Sequence, residues 1–221
     1  MTKKYELVLD DTISFWGWKL FRIRALISFG IVEAGDLGGY IEKEENLSHN
    51  GKAWVWGNAK VWGNAKVSDN AKVWGNAEVS GNAEVWGNAK VSGNAKVWGN
   101  AEVSGNAKVS GDAEVWGNAE VSGNAKVSGI AEVSGNAEVS GNAEVSGNAE
   151  VSELGDIIVF KNHWSSGRHF TYTKSNKMWK VGCFYGTGQE LIEKAYRDSE
   201  KSGNYYKAYV DFVENLEKLG D

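Results

Sequence analysis

A six-residue period sustained over nearly half the chain predicts a mainly β fold built as a parallel β-helix. Three observations carry that reading. The hexad Val-(Trp/Ser)-Gly-Asn-Ala-(Lys/Glu) runs from Gly51 to Ser152, 102 residues or 17 hexads, almost without interruption. A period of six is too short for helical repeats and suits coils in which each hexad is one short strand and one corner. Proline, which would remove ladder hydrogen bonds from stacked strands, is absent from all 221 residues. Three hexads close a triangular coil, so stacked positions lie 18 residues apart.

Taken in order, residues 1–38 are not repetitive. Tyr5 to Leu9 reads as a strand, and Thr12–Trp16 with Lys19–Ile27 as a hairpin turning near Gly17. This segment is expected to be a β cap over the open end of the solenoid, because uncovered strand edges aggregate. Ile41 and Leu47 fall where later hexads carry alanine, so the coils are expected to start near Gly39 and occupy 39–152. Within a hexad, Ala and Val are two residues apart and share one side of the strand. Ala59 and Val61, or Ala95 and Val97, therefore point inward. Gly and Asn make the corner because both tolerate positive φ. Lys/Glu and Trp/Ser are left outside. From about Glu153 the period stops, and 153–221 reads as a small α+β domain. Its strands are expected at 156–162, 168–176 and 178–185. Thr187 and Glu190, at capping-box spacing, open a helix with Leu191, Ile192, Ala195 and Tyr196 on its apolar side. A second helix follows Ser202-Gly203-Asn204, with Tyr205, Tyr209, Phe212, Val213 and Leu216 on its stripe and Gly220 as its stop.

Sorting the outward positions by 18 separates three faces. One column reads Trp54, Lys72, Lys90, Lys108, Lys126, Glu144. A second reads Lys60, Glu78, Lys96, Glu114, Glu132, Glu150, and the third Lys66, Glu84, Glu102, Glu120, Glu138. Like charges stacked about 4.8 Å apart repel. A neighbouring subunit that set its glutamates on these lysines would relieve both columns, and three such heterologous contacts close a ring. A homo-oligomer, most simply a trimer, is therefore expected. Its candidate contacts are Lys72, Lys90, Lys108 and Lys126, Glu84, Glu102, Glu120 and Glu138, and the outward indoles Trp62, Trp98 and Trp116. Asp69, Asp112 and Ile130 break the hexad, and Ile130, at a corner, is expected to lie beneath the C-terminal domain or a neighbouring subunit.

Composition and missing chemistry narrow the function. A net charge of -5 argues against a general nucleic-acid binder. The single cysteine, Cys183, fits a reducing cytosol, and no stretch reads as a signal core or membrane span. The coils contain no His, Cys, Thr or Arg; His49, His163 and His169 lie outside them, no metal-ligand spacing appears, and no cofactor is implied. A hexapeptide-type transferase, which would need a catalytic base, is therefore the weaker alternative, beside a purely structural spacer. The strongest candidate site is the C-terminal sheet, where Lys161, Arg168, Lys174, Lys177 and Lys180 face only Asp156 in charge and aromatics interleave. Cations beside rings suit an anionic planar ligand such as a nucleotide. Arg168 is the expected anchor, Lys174 and Lys180 add charge, Tyr172 or Trp179 stacks, and Thr187 marks a helix start that offers phosphate donors. The competing reading makes these aromatics the core of a small domain.

Asp36-Leu37-Gly38-Gly39-Tyr40-Ile41, then Asn46-Leu47-Ser48, then the Gly-Asn-Ala-Lys-Val hexads, resemble the hexapeptide-repeat proteins of phages and prophages, as do Arg22 to Leu26, Ser166-Gly167-Arg168 with Thr171, and Gly182-Cys183-Phe184. The resemblance covers essentially the whole chain. It implies a left-handed β-helix, an origin in a mobile element and residence in the bacterial cytosol. It implies no established enzymatic activity. By analogy with small phage proteins that counter host defence, it suggests sequestration of a nucleotide-like signal or inhibition of a host defence protein.

Overall fold

The computed structural model describes residues 3–219; the expected stop at Gly220 lies outside the described residues. The hexads form a parallel β-solenoid of about six turns, made of two-residue strands from Trp54–Val55 to Glu150–Val151. Every hexad alanine and valine is buried in one continuous core. A fully buried valine contributes roughly 1.5–3 kcal/mol, and each coil of three hexads buries three of them, so successive coils add equal increments. The corners follow from backbone sterics. The glycines from Gly57 to Gly147 have φ between 61 and 76°. At Gly93 an added Cβ would sit 2.8 Å from the Gly111 carbonyl oxygen of the next coil. Asp69 takes the same left-handed conformation, φ 57°. Corner asparagines form ladders along the axis, as from Asn88 to Asn106 at 3.1 Å and Asn106 to Asn124 at 3.1 Å.

From Trp54 onward the stacking register matches the 18-residue columns; before it, Ile41 and Leu47, expected at alanine positions, instead stack on Val61 and Val67, 20 residues away. Lys90 pairs with Lys72 and Lys108, Lys126 with Lys108 and Glu144, and Glu102 with Glu84 and Glu120. Two exterior expectations are corrected. Trp54 heads the lysine column but is wholly buried, because the rings of Phe29 and Tyr5 pack edge-on against it at 5.4 and 6.1 Å. Ile130 is 61% exposed, so among the described residues the C-terminal domain does not cover it, and it interrupts an asparagine ladder after Asp112.

Interstrand bonds give the solenoid a polarity. In a typical hexad Lys90, Ser92 and Asn94 donate their N–H groups forward to Ala107, Val109 and Gly111 at 2.9, 3.0 and 2.8 Å. The first coil is therefore left with carbonyls to satisfy and the last with N–H groups. The N-terminal cap supplies donors. Tyr40 and Ser48 donate main-chain N–H groups to Ala59 and Val67, Asn46 donates its amide to Gly63 and Ala65, and Lys4 donates Nζ to Ala53 at 2.9 Å. Lys4 is 1% exposed, and burial lowers its ammonium to about 8. The C-terminal cap supplies acceptors. Thr171 Oγ1 takes the Glu144 N–H and Ser175 Oγ the Glu150 N–H, each at 2.9 Å, while the Asp156 carboxylate takes those of Ser152 and Glu153. Burial pushes Asp156 toward the neutral form, but these backbone donors, the Ser152 hydroxyl and Lys174 outweigh it and hold its carboxyl below the usual range.

The N-terminal cap is a three-stranded extension of one solenoid face, β1 (Tyr5–Phe15), β2 (Trp18–Ala25) and β3 (Leu37–Ile41). The two early strands expected from the sequence are one strand, with a register shift between Val8 and Thr12. At the C-terminal end, Ile157–Lys161, His169–Thr173, Met178–Val181 and Phe184–Thr187 form an antiparallel meander. The expected third strand is two, because Gly182, φ 57°, turns the chain. Helices α1 (Gly188–Asp198) and α2 (Glu200–Glu217) cover one face of that sheet. The inward stripe of α2 is Gly203, Tyr206, Val210 and Val213, whereas Phe212 is half exposed. Gly203 sets this rotation: a Cβ there would lie 2.2 Å from the Tyr196 ring, so α2 turns its smallest face to α1.

Candidate functional site: a basic cleft at the end of the lysine face

Alternation along the C-terminal strands sends neighbouring residues to opposite sides of the sheet. Phe170, Tyr172 and Trp179 join the core beneath the helices. Thr171 faces the solenoid, where it is wholly buried and caps Glu144. This docking brings Arg168 and Lys180 against the end of the lysine face. The result is a cleft of about 680 Å³ lined by Lys108, Lys126, Arg168, Lys180, His169 and Glu144, with Ser110, Ser128 and Asn142 supplying neutral polar groups.

Four permanent cations meet one carboxylate in this cleft. Glu144 is engaged by Lys126 at 2.5 Å. Lys180 donates to the Gly182 carbonyl at 2.7 Å, which holds its ammonium at the rim. Lys108 and Arg168 make no ion pair among the described residues. One guanidinium and three ammonium groups thus share a single carboxylate, and an arginine fork can grip two oxygens of an anion at once.

The sequence-predicted residues divide between this cleft and other places. Arg168 and Lys180 are in it. Lys174 is exposed at the strand end, where its N–H donates to the Asp156 carbonyl. Tyr172 and Trp179 are core residues, so neither ring offers a face for stacking, which corrects the role expected of them. The Tyr172 hydroxyl bonds to Glu217, and burial first, then that carboxylate, raises it well above the ordinary phenol. Thr187 caps α1 together with Glu190, whose carboxylate accepts the Thr187 N–H at 2.8 Å. The helix start thus carries its own carboxylate. A separate hollow beside Tyr172, Trp179 and Thr187 pairs Lys177 and Lys218 with Glu214 and Glu217, a balance that does not favour anions.

Of the residues expected at a subunit contact, Lys108 and Lys126 line the cleft, while Lys72 and Lys90 continue its column toward the N-terminal cap. Glu84 pairs with Lys66 at 3.1 Å; Glu102, Glu120 and Glu138 stand exposed on an open face. Trp62 packs against Phe15 of the cap at 5.4 Å, so one of the outward indoles has a partner within the chain. Trp98 and Trp116 stack on each other at 5.8 Å. The sequence reading missed His169, Ser110, Ser128 and Asn142 as cleft residues. The only signal available was the position of the serines, one residue beyond the inward valine that follows each column lysine.

No protein-family model matches the chain, and no curated protein matches its sequence. Among the described residues no helix is long and apolar enough to cross a membrane.

Proposed function

We propose that this is a non-enzymatic binding protein of phage or prophage origin that holds a small, multiply charged anion of nucleotide type in the basic cleft. The observation that carries the reading is the convergence of Lys108 and Lys126 from the solenoid with Arg168 and Lys180 from the cap around a single, already paired carboxylate. The phage origin rests on the flanking motifs around Asp36–Ile41 and Ser166–Arg168. Such a ligand fits a sequestering role, because the cleft holds charge and presents no obvious base for turnover beside it other than His169. Calorimetry with inorganic tripolyphosphate and a panel of nucleoside triphosphates tests this. Arg168→Ala should weaken binding by about 1.5–3 kcal/mol, the range of a charge-assisted hydrogen bond, with the melting point nearly unchanged. Unaltered affinity in this variant would reject the cleft as the site.

A second reading, assembly with further copies of the chain, is favoured by the stack of half-buried Trp98 on exposed Trp116, an apolar patch on the solenoid exterior. A trimer by light scattering that becomes monomeric in Trp98→Ser, Trp116→Ser would support it.

A further inference from the structure

The lysine face is closed off at both ends, and the two ends differ. Toward the N-terminal cap it enters a second cleft, of about 530 Å³, where Lys52, Lys72 and Lys90 meet Trp56 and Phe29. Lys72 Nζ lies 5.9 Å from the centre of the Trp56 ring, and neither Lys72 nor Lys90 makes an ion pair among the described residues. Toward the C-terminal cap it enters the arginine-bearing cleft already described. The in-register column from Lys72 through Lys90 and Lys108 to Lys126 joins the two, and its three steps span roughly 14 Å at the spacing of stacked strands. No other face has this form. On the mixed face both lysines are paired, Lys96 with Glu114 at 2.9 Å and Lys60 within 3.8 Å of Glu78, leaving Glu132 and Glu150 in excess, and the third face is predominantly acidic.

We propose that this trough binds a short single-stranded oligonucleotide, a base packing at Trp56 and the phosphates running along the lysine column to Arg168. This rests on the proposed anion-binding function and names its ligand class. A row of cations tracks a phosphate backbone, an adjacent indole offers a sequence-tolerant stacking surface, and the pair is the chemistry of single-strand recognition. The confined length and the net charge of -5 exclude general binding of long nucleic acid.

The test is calorimetry of the full chain with two probes, a 5′-phosphorylated thymidine trinucleotide and inorganic tripolyphosphate. The trinucleotide should bind about tenfold tighter, as expected for one stacked base. Trp56→Ser, which installs the residue that Ser92 and Ser110 carry at the same hexad position, should abolish that advantage and leave tripolyphosphate unaffected. Lys72→Glu with Lys90→Glu should weaken the trinucleotide at least tenfold while changing tripolyphosphate much less, with melting curves confirming the fold. A trinucleotide no tighter than tripolyphosphate, or indifferent to Lys72 and Lys90 while tripolyphosphate still depends on Arg168, overturns the trough and spares the cleft. Failure of both probes to bind overturns the trough and the proposed function together.

Discussion

The lysine face and the glutamate face share one backbone. Both are stacks of two-residue parallel strands with valine inward and a charged residue outward, and both carry a run of four like charges. What separates them is their surroundings. The lysine face runs beneath cap segments at both ends: Phe29 and Val32 flank its start beside Lys52 of the first hexad, and the C-terminal domain adds Arg168 and Lys180 at its end. The glutamate face is met near its start by Lys66, and Glu102, Glu120 and Glu138 remain open. A repeat therefore supplies charge at regular spacing, and the non-repeating C-terminal domain decides which charged face ends in a cleft with added cations.

The comparison breaks most severely if the interiors are not equivalent. Val91→Asp beneath the lysine face and Val103→Asp beneath the glutamate face should each destabilise the fold by roughly 3–5 kcal/mol, because each buries an unpaired carboxylate. Chemical denaturation measures both; a large difference between them would show that the faces differ inside as well as outside.

Exchanging the outer charges sharpens the contrast. Lys108→Glu with Lys126→Glu should lower tripolyphosphate affinity at least a hundredfold, two charge-assisted contacts being worth about 3 kcal/mol or more. Glu102→Lys with Glu120→Lys should change it only a few-fold, through net charge. The first variant also reports on assembly. Light scattering should give a trimer whose mass it does not alter. Dissociation instead would mean that a neighbour's glutamates occupy the lysine face.

Much of this difference was legible in the sequence. The period of six and the 18-residue spacing predicted the columns from Trp54 onward, including which lysines lie over which, because the repeat leaves the stacking register no freedom there; the first coil, where Ile41 and Leu47 stack on Val61 and Val67, lies outside that phase. The clefts were not legible. They depend on Thr171 and Ser175 accepting the free N–H groups of Glu144 and Glu150, contacts between residues about 25 apart that no local pattern announces. Nor could spacing show that Tyr172 and Trp179 face the helices while Lys180 faces the solenoid, since a cluster of aromatics and cations reads the same in either orientation. The buried Lys4 was hidden likewise: its role is to satisfy the Ala53 carbonyl, a requirement set by the polarity of the coil end.

The smallest effect lies on the acidic side. Glu120→Lys places a cation between Glu102 and Glu138, turning repulsion along the column into attraction, and should raise stability by about 0.2–1 kcal/mol. The matching change Lys108→Glu should stabilise by a similar amount while it weakens binding. Such opposite movement of stability and affinity is expected where a charged column is maintained for a ligand. Thermal melts at low salt resolve both, and a destabilised Glu120→Lys would show that the open glutamates have partners in solution.

Caps and coils together are proposed to build an anion site at one end of one face. A crystal structure of the protein with inorganic tripolyphosphate tests it most directly. Phosphate oxygens should lie within hydrogen-bond distance of Arg168 and of at least two of Lys108, Lys126 and Lys180. Tripolyphosphate seated elsewhere on the chain, with the Arg168 cleft empty, would contradict it.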